Sequence, residues 1–164
     1  MKTVTIMRHA KASKGYEAQL SDFERPLNER GLRQAREAAA HLPSRLKPPV
    51  DALLLSPARR TRETAQALFE TLKLPESMWI SDGDLYLGEP SEWMARLAGL
   101  PQEVQHVLAV GHNPGLSELA GRLSKREVAL RTAEMVQLAF EQATDWEQVG
   151  RQPGRLIMQY RPEA

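Results

Sequence analysis

The 164-residue sequence contains no cysteine, which removes disulfides, thiolate catalysis and cysteine-held zinc or iron–sulfur sites and fits a reducing compartment. It has little net charge, because 22 lysines and arginines face 21 aspartates and glutamates for a formal balance of +1. No broad positive field therefore exists to hold a nucleic-acid backbone non-specifically. Recognition of an anion must come from local placement of a few side chains. No run of about twenty apolar residues, the length that crosses a bilayer, is present. The apolar stretch behind Met1 and Lys2 is one strand long before Arg8 closes it, too short for a secretory core. A cytoplasmic protein with no membrane or nucleic-acid partner is the expectation. The length suits a single domain over residues 1–164, large enough to bury a core without staples.

Short apolar runs alternate with amphipathic stretches, which argues for a sheet flanked by helices, an α/β protein. Val4 to Ala10 reads as a strand ending in Arg8 and His9. Lys11 to Arg25 is polar and irregular, a loop. Asn28 is the expected N-cap of a helix over Glu29 to Leu42, with Leu32, Ala35, Ala38, Ala39 and Leu42 at helical spacing and Pro43 ending it. Asp51 to Leu55 reads as a buried strand. Ser56-Pro57 then reads as an N-cap with proline at the first helical position, opening a helix to about Leu72. Met78 to Ser81 is an expected edge strand, Glu92 to Leu100 a helix carrying Trp93, Leu97 and Leu100 toward the core, Val107 to Val110 a strand, and Gly115 to Leu123 a helix. Met135 to Glu141 and Arg155 to Tyr160 alternate as two antiparallel strands. Internal repeats and low-complexity segments are missing.

Chemistry-bearing residues fall at comparable places in this pattern. Arg8 and His9 follow the first strand, Arg59 and Arg60 the second, and His112 the strand from Val107. In an open parallel sheet the carboxyl ends of all strands share one edge, so these groups can converge though distant in sequence. A helix amino terminus after Ser56 adds unpaired N–H groups that favour an anion. A neutral imidazole attacks phosphorus with one ring nitrogen while the other holds its proton against a carbonyl, and arginine forks neutralise the equatorial oxygens. A nitrogen nucleophile among fixed cations suits phosphoryl transfer. His112, if protonated beside a dianion, would add a donor.

The runs Ile6-Met-Arg8-His9-Ala10-Lys11, Arg25-Pro-Leu ahead of Gly31, Ser56-Pro-x-x-Arg60 continuing to Glu63-Thr-Ala65, and Gly111-His112-Asn-Pro together resemble the histidine phosphatase superfamily, and within it the short SixA-type phosphohistidine phosphatases. The likeness spans residues 2 to about 123 in order. It implies a three-layer α/β/α sandwich with a mostly parallel central sheet, of the phosphoglycerate mutase-like kind. It implies that His9 is the phosphorylated nucleophile and that Arg8, Arg25, Arg60 and His112 form the phosphate pocket; the family register is what selects Arg60 over Arg59, and spacing alone would not select Arg25. No cofactor and no metal are implied. Two departures stand out. The family's usual glycine after the histidine is Ala10 here, tolerable where that backbone has negative φ. Larger members place a glutamate general acid in the region of Asp82 to Glu89, yet Leu85-Tyr-Leu87 offers no matching carboxylate, leaving only Asp84 and Glu89 as weak candidates.

An alkyl phosphate needs its leaving oxygen protonated, whereas phosphohistidine leaves as a good imidazole. The missing acid, and a chain with little sequence left over for a lid, therefore tilt the expected substrate toward phosphohistidine in a protein. A phosphatase or mutase acting on a small phosphorylated metabolite, and a phosphate-binding regulatory module without turnover, are the alternatives. A metal site built from the four histidines ranks last, because no metal-binding spacing or carboxylate cluster accompanies them. His41, near a helix C-terminus, and His106, before a strand, read as structural. Arg33, Arg36, Arg59 and Arg62 read as solvated helix faces, Lys11 and Lys14 as loop lysines, and Trp79, Trp93 and Trp146 as packing.

Overall fold

Alternation of side chains along each strand explains the layers. The computed structural model describes residues 1–14 and 19–163; the expected loop from Lys11 to Arg25 is thus described except at 15–18. The elements run β1 (Lys2–Arg8), α1 (Glu29–Arg45), β2 (Ala52–Leu55), α2 (Arg59–Leu72), β3 (Trp79–Ser81), α3 (Pro90–Ala98), β4 (His106–Gly111), α4 (Gly115–Ser124), β5 (Met135–Phe140) and β6 (Arg155–Tyr160). They form one six-stranded sheet in the order β3-β2-β4-β1-β5-β6. β1, β2, β3 and β4 are mutually parallel, and β5 and β6 join antiparallel.

One face of the sheet presents Val4, Ile6, Leu54, Val107 and Ala109 to Trp93 and Leu97 of α3 and Leu116, Leu119 and Leu123 of α4. The other presents Met7, Leu53, Leu55, Leu108 and Val110 to Ala35, Ala38 and Leu42 of α1 and Ala65 and Leu68 of α2. Both faces are covered, so the central strands are apolar throughout rather than alternating. Each fully buried leucine contributes about 2 kcal/mol of transfer free energy. The result is the expected α/β/α sandwich with a mostly parallel sheet, and parallel strands put their carboxyl ends, and the residues just beyond them, on one edge.

Several local expectations are corrected. α1 continues through Pro43 to Arg45, with Leu46 N–H closing on Leu42 O. A proline so near the end of a helix forfeits one hydrogen bond rather than a whole turn. Leu32 is 40% exposed on the outer face of α1 and does not join the core. Ser56 does not cap α2, which starts at Arg59 after Ala58. The Ser56 hydroxyl instead accepts from Ala58 N at 3.3 Å and lies 2.7 Å from His112 Nε2, while Thr61 Oγ1 donates to the Ser56 and Ala58 carbonyls at 2.8 and 2.6 Å. α3 starts at Pro90, capped by a reciprocal pair between Glu89 and Glu92. Asn28 caps α1 as expected, its Oδ1 accepting from Gly31 N at 2.8 Å.

Candidate active site

The sheet edge delivers Arg8 as the last residue of β1, opposite Gly111 of β4. His9 follows, its N–H donating to Gly111 O at 3.0 Å. A single amide, that of Ala133, donates to both the Arg8 and the His9 carbonyls at 3.1 Å. His9 is buried, and its Nδ1 lies 2.7 Å from Ala10 O. A carbonyl can only accept, so Nδ1 carries the hydrogen and Nε2 keeps its lone pair. Burial first, then the nearby Arg60, Arg8 and Arg25 charges, outweigh the Ala10 contact and lower the His9 pKa to about 4. The ring is neutral at neutral pH, the state a nucleophile requires. Ala10 is buried and absent from the positive-φ residues, so its methyl group costs nothing there; its N–H donates to Thr64 Oγ1 at 3.0 Å.

Of the two arginines that open α2, Arg60 turns inward and is 2% exposed, while Arg59 pairs with Glu63 at 3.3 Å on the outside. Arg60 Nη1 donates to Asp22 O at 2.7 Å and Nη2 to Asp22 Oδ2 at 3.1 Å. Arg25 comes from the same loop as Asp22. It donates to Ser13 O at 2.6 Å and holds Asp22 Oδ1 with Nε at 3.0 Å and Nη2 at 2.9 Å. Tyr86 Oη closes the set on Asp22 Oδ2 at 2.5 Å. Burial pushes the Asp22 carboxyl up, but Tyr86, Arg25 and Arg60 together outweigh it and bring it down to about 2. The loop carrying Lys11 sits tightly on the start of α1: a side chain at Gly31 would place a Cβ 1.9 Å from Lys11 O, which only glycine avoids.

His112 follows β4 and lies beside His9, ring centroids 5.3 Å apart. Its Nε2 is 2.7 Å from Ser56 Oγ. Ser56 Oγ also accepts from Ala58 N at 3.3 Å, so its own hydrogen is available to Nε2. That arrangement leaves Nδ1 as an N–H donor without need of a second proton. Burial, then the Arg60 charge, lowers the His112 pKa to about 3. The ring is thus neutral at neutral pH, and a dianion beside it would have to raise its pKa to protonate it. Arg8 Nη1 donates to Leu130 O at 3.2 Å, as does Asn113 Nδ2 at 2.8 Å.

These groups line one cavity of about 320 Å³ that includes Arg8, His9, Asp22, Arg25, Arg60 and His112. Arg8 Nε, Arg60 Nε and His112 Nδ1 are buried with no partner, three of the five such side-chain atoms among the described residues. Unsatisfied donors are costly to keep, and here three of them concentrate around the His9 ring, an arrangement that suits an oxyanion. No group of three or more metal-ligating side chains is found among the described residues.

The structure thus brings together all five expected site residues. Neither acid candidate lines the cavity: Asp84 pairs with Arg96, and Glu89 caps α3. Sequence reasoning missed Asp22 and Tyr86. A carboxylate in a polar loop and a tyrosine 64 positions later give no local signal that they meet. His41 lies near the carboxyl end of α1 as expected, and is exposed. His106 is the buried first residue of β4, held by Pro48 O at 2.6 Å and Thr5 Oγ1 at 2.7 Å, a structural histidine inside the strand rather than before it.

Comparison with known proteins accords with this geometry. The histidine phosphatase superfamily (branch 1) model matches residues 4–85. A protein of unknown role from Mycobacterium tuberculosis is 34% identical over 116 residues, covering 70% of this chain and 67% of that one. A chain from Nakamurella multipartitia carrying the SixA phosphohistidine phosphatase name is 26% identical over 99% of this chain and 97% of its own, with a TM-score of 0.81. The protein histidine phosphatase SixA complexed with tungstate is 25% identical over 96% and 95% of the two chains, with a TM-score of 0.78. The chain belongs to the histidine phosphatase superfamily, in its SixA-type group.

Proposed function

We propose that the protein is a metal-independent phosphatase that carries phosphate on His9 and takes it from phosphohistidine in proteins. The observation that carries the reading is the His9 ring itself: Nδ1–H fixed on Ala10 O, Nε2 unprotonated, and the unpaired arginine and His112 donors around the same cavity. Nε2 attacks phosphorus while Arg8, Arg25, Arg60 and His112 Nδ1–H hold the equatorial oxygens. Each such contact in an enclosed site is worth about 3 kcal/mol in the transition state. Water then releases inorganic phosphate from phospho-His9.

The substrate class follows from protonation. Asp84 and Glu89 are engaged elsewhere, and Asp22 is held ionised at the pocket by three donors. Among the described residues no carboxylic acid stands ready to protonate an alkoxide, which favours a leaving group that needs none, such as the neutral imidazole released by a ring-protonated phosphohistidine. Two SixA structures, one complexed with tungstate, an oxyanion, support the same choice by likeness.

The test compares wild type with His9→Ala on a phosphohistidine-bearing protein, on phosphoramidate and on alkyl phosphomonoesters, with alkaline quenching because the phosphohistidine label is lost in acid. Label on wild type alone, and faster turnover of the nitrogen-linked substrates, is the expected result. Full activity in His9→Ala would remove the nucleophile assignment, and equal or faster turnover of sugar phosphates would move the substrate to small metabolites. Phosphate binding with no hydrolysis of any substrate would make the protein a binding module.

A further inference from the structure

Asp22 is the one carboxylate among the described residues that lines the His9 cavity. An anion on the wall of an oxyanion pocket weakens ground-state binding of the oxyanion, yet this one is firmly placed. Oδ1 takes two donors from Arg25, and Oδ2 takes one from Arg60 and one from Tyr86. Tyr86 in turn packs edge-on against the His112 ring at 5.6 Å and against Phe23 at 5.0 Å. The carboxylate is therefore tied to the site through three elements: its own loop, α2, and the segment after β3. Its side chain is 46% exposed, which leaves it a path to solvent.

Given the function proposed above, on which this inference rests, a phosphohistidine whose other ring nitrogen already carries a proton leaves as neutral imidazole, so the protonic demand of the cycle falls on the second half-reaction. When phospho-His9 breaks down, Nδ1 already carries a hydrogen on Ala10 O. Nε2 therefore leaves phosphorus as part of a neutral imidazole and needs no acid. The attacking water does have a proton to lose. The geometry points to Asp22 as the base that takes it, with Tyr86 as the residue that positions the carboxylate. The water oxygen bonds to phosphorus as the P–Nε2 bond breaks, its electron pair returns to Nε2, and one water proton passes to an Asp22 oxygen and on to solvent. The products are inorganic phosphate and the neutral ring that began the cycle.

The arginines make the timing work. Arg60 and Arg25 hold Asp22, which makes its carboxylate a weak base. The same two guanidinium groups are the ones proposed to grip a phosphoryl group. On His9 such a group would share those cations and add a dianionic neighbour, and both changes would raise the basicity of Asp22 when a base is needed. Lys11 and His112, which line the same cavity, are the other titratable groups facing this space.

A positioning role and a base role separate cleanly, because the same arginines grip phosphorus in both half-reactions. A carboxylate that merely orients them would speed both half-reactions alike, whereas a base would speed only the second. The experiment follows label from phosphoramidate by rapid alkaline quench in wild type, Asp22→Asn and Tyr86→Phe. Asp22→Asn is expected to form phospho-His9 within a few-fold of the wild-type rate and to lose it on the order of 100-fold more slowly, so the phosphoenzyme accumulates. Tyr86→Phe is expected to slow the same step by less. Asp22→Ala, with an intact thermal transition, is expected to regain dephosphorylation on adding formate. Equal slowing of both half-reactions, or unchanged decay of the label, would overturn the inference while leaving the phosphatase reading in place. A wild-type protein that never carries phosphate on His9 would overturn that reading and this inference with it.

Discussion

The two ends of the sheet bury similar residues to opposite effect. At the amino end, Lys2 is 1% exposed, yet its ammonium donates to Gln102 O at 2.7 Å and Val104 O at 2.8 Å and sits 5.3 Å from the Trp146 ring centre. His106 has a partner at each ring nitrogen, and Asp51 accepts from the Gln105 and His106 amides at 3.0 and 2.9 Å. At the carboxyl end, Arg8 and Arg60 keep buried guanidinium nitrogens unpaired and His112 keeps Nδ1 unpaired. Burial alone therefore does not mark a functional group. The marker is a cluster of buried nitrogens with hydrogen-bonding capacity left over around one cavity; the buried Thr3 and Tyr160 hydroxyls are also unpaired but do not line it.

The contrast breaks most visibly at His9. Replacing it with alanine should lower phosphatase turnover at least about 10⁴-fold, roughly 5.5 kcal/mol of barrier, while the denaturation midpoint holds or rises, since a desolvated ring leaves the core. Steady-state rates beside a urea melt decide it. Next is Arg60→Ala, expected to lower kcat about 100- to 1,000-fold, roughly 3 to 4 kcal/mol, because removing one fork strips the phosphoryl group of a fixed cation. Substituting Arg59 instead should leave kcat within about two-fold, as an exposed i,i+4 pair is worth little.

At the amino end the outcome should reverse. His106→Leu leaves Pro48 O and Thr5 Oγ1 without their partner and should cost about 2 to 3 kcal/mol of stability in a urea melt, with kcat of the folded protein unchanged. The smallest effect is the acid dependence of stability. His9 and His112 ionise at about 4 and about 3 in the folded chain against 6.5 for an unburied ring. Below pH 6.5 the unfolded chain binds protons the native chain refuses, so the two rings cost nothing above 6.5 and destabilise the fold increasingly as pH falls toward 4. His9→Ala should flatten that slope by up to one proton in melts taken between pH 4 and 6.5. A slope that stays the same in the variant would show that His9 titrates normally.

The layers of the fold were legible because strands covered on both faces read as unbroken apolar runs, and Val4 to Met7 and Val107 to Val110 do so. Element ends were less legible. Pro43 signals a stop that α1 overrides, and Ser56 has the residue type of a cap but spends its hydroxyl on His112. Arg8, His9 and His112 could be read from position alone, since each ends or follows a strand. Arg60 needed the family register to separate it from Arg59, and the structure makes the distinction physical: one side chain is buried, the other pairs with Glu63 outside. Asp22 and Tyr86 were illegible because loop-to-loop contacts depend on the closed fold and leave no periodic trace.

The amide of Ala133 has a wider consequence. Ala133 adopts a left-handed backbone, φ 60°, and that bend is where one N–H reaches the main chain on both sides of the Arg8–His9 bond. Leu130 O restrains the Arg8 fork from the same stretch. The segment that the family model matches, residues 4–85, therefore contains His9 but not the amide that ties its main chain. Shortening the protein after α4 would leave the signature sequence intact and its chemistry unsupported.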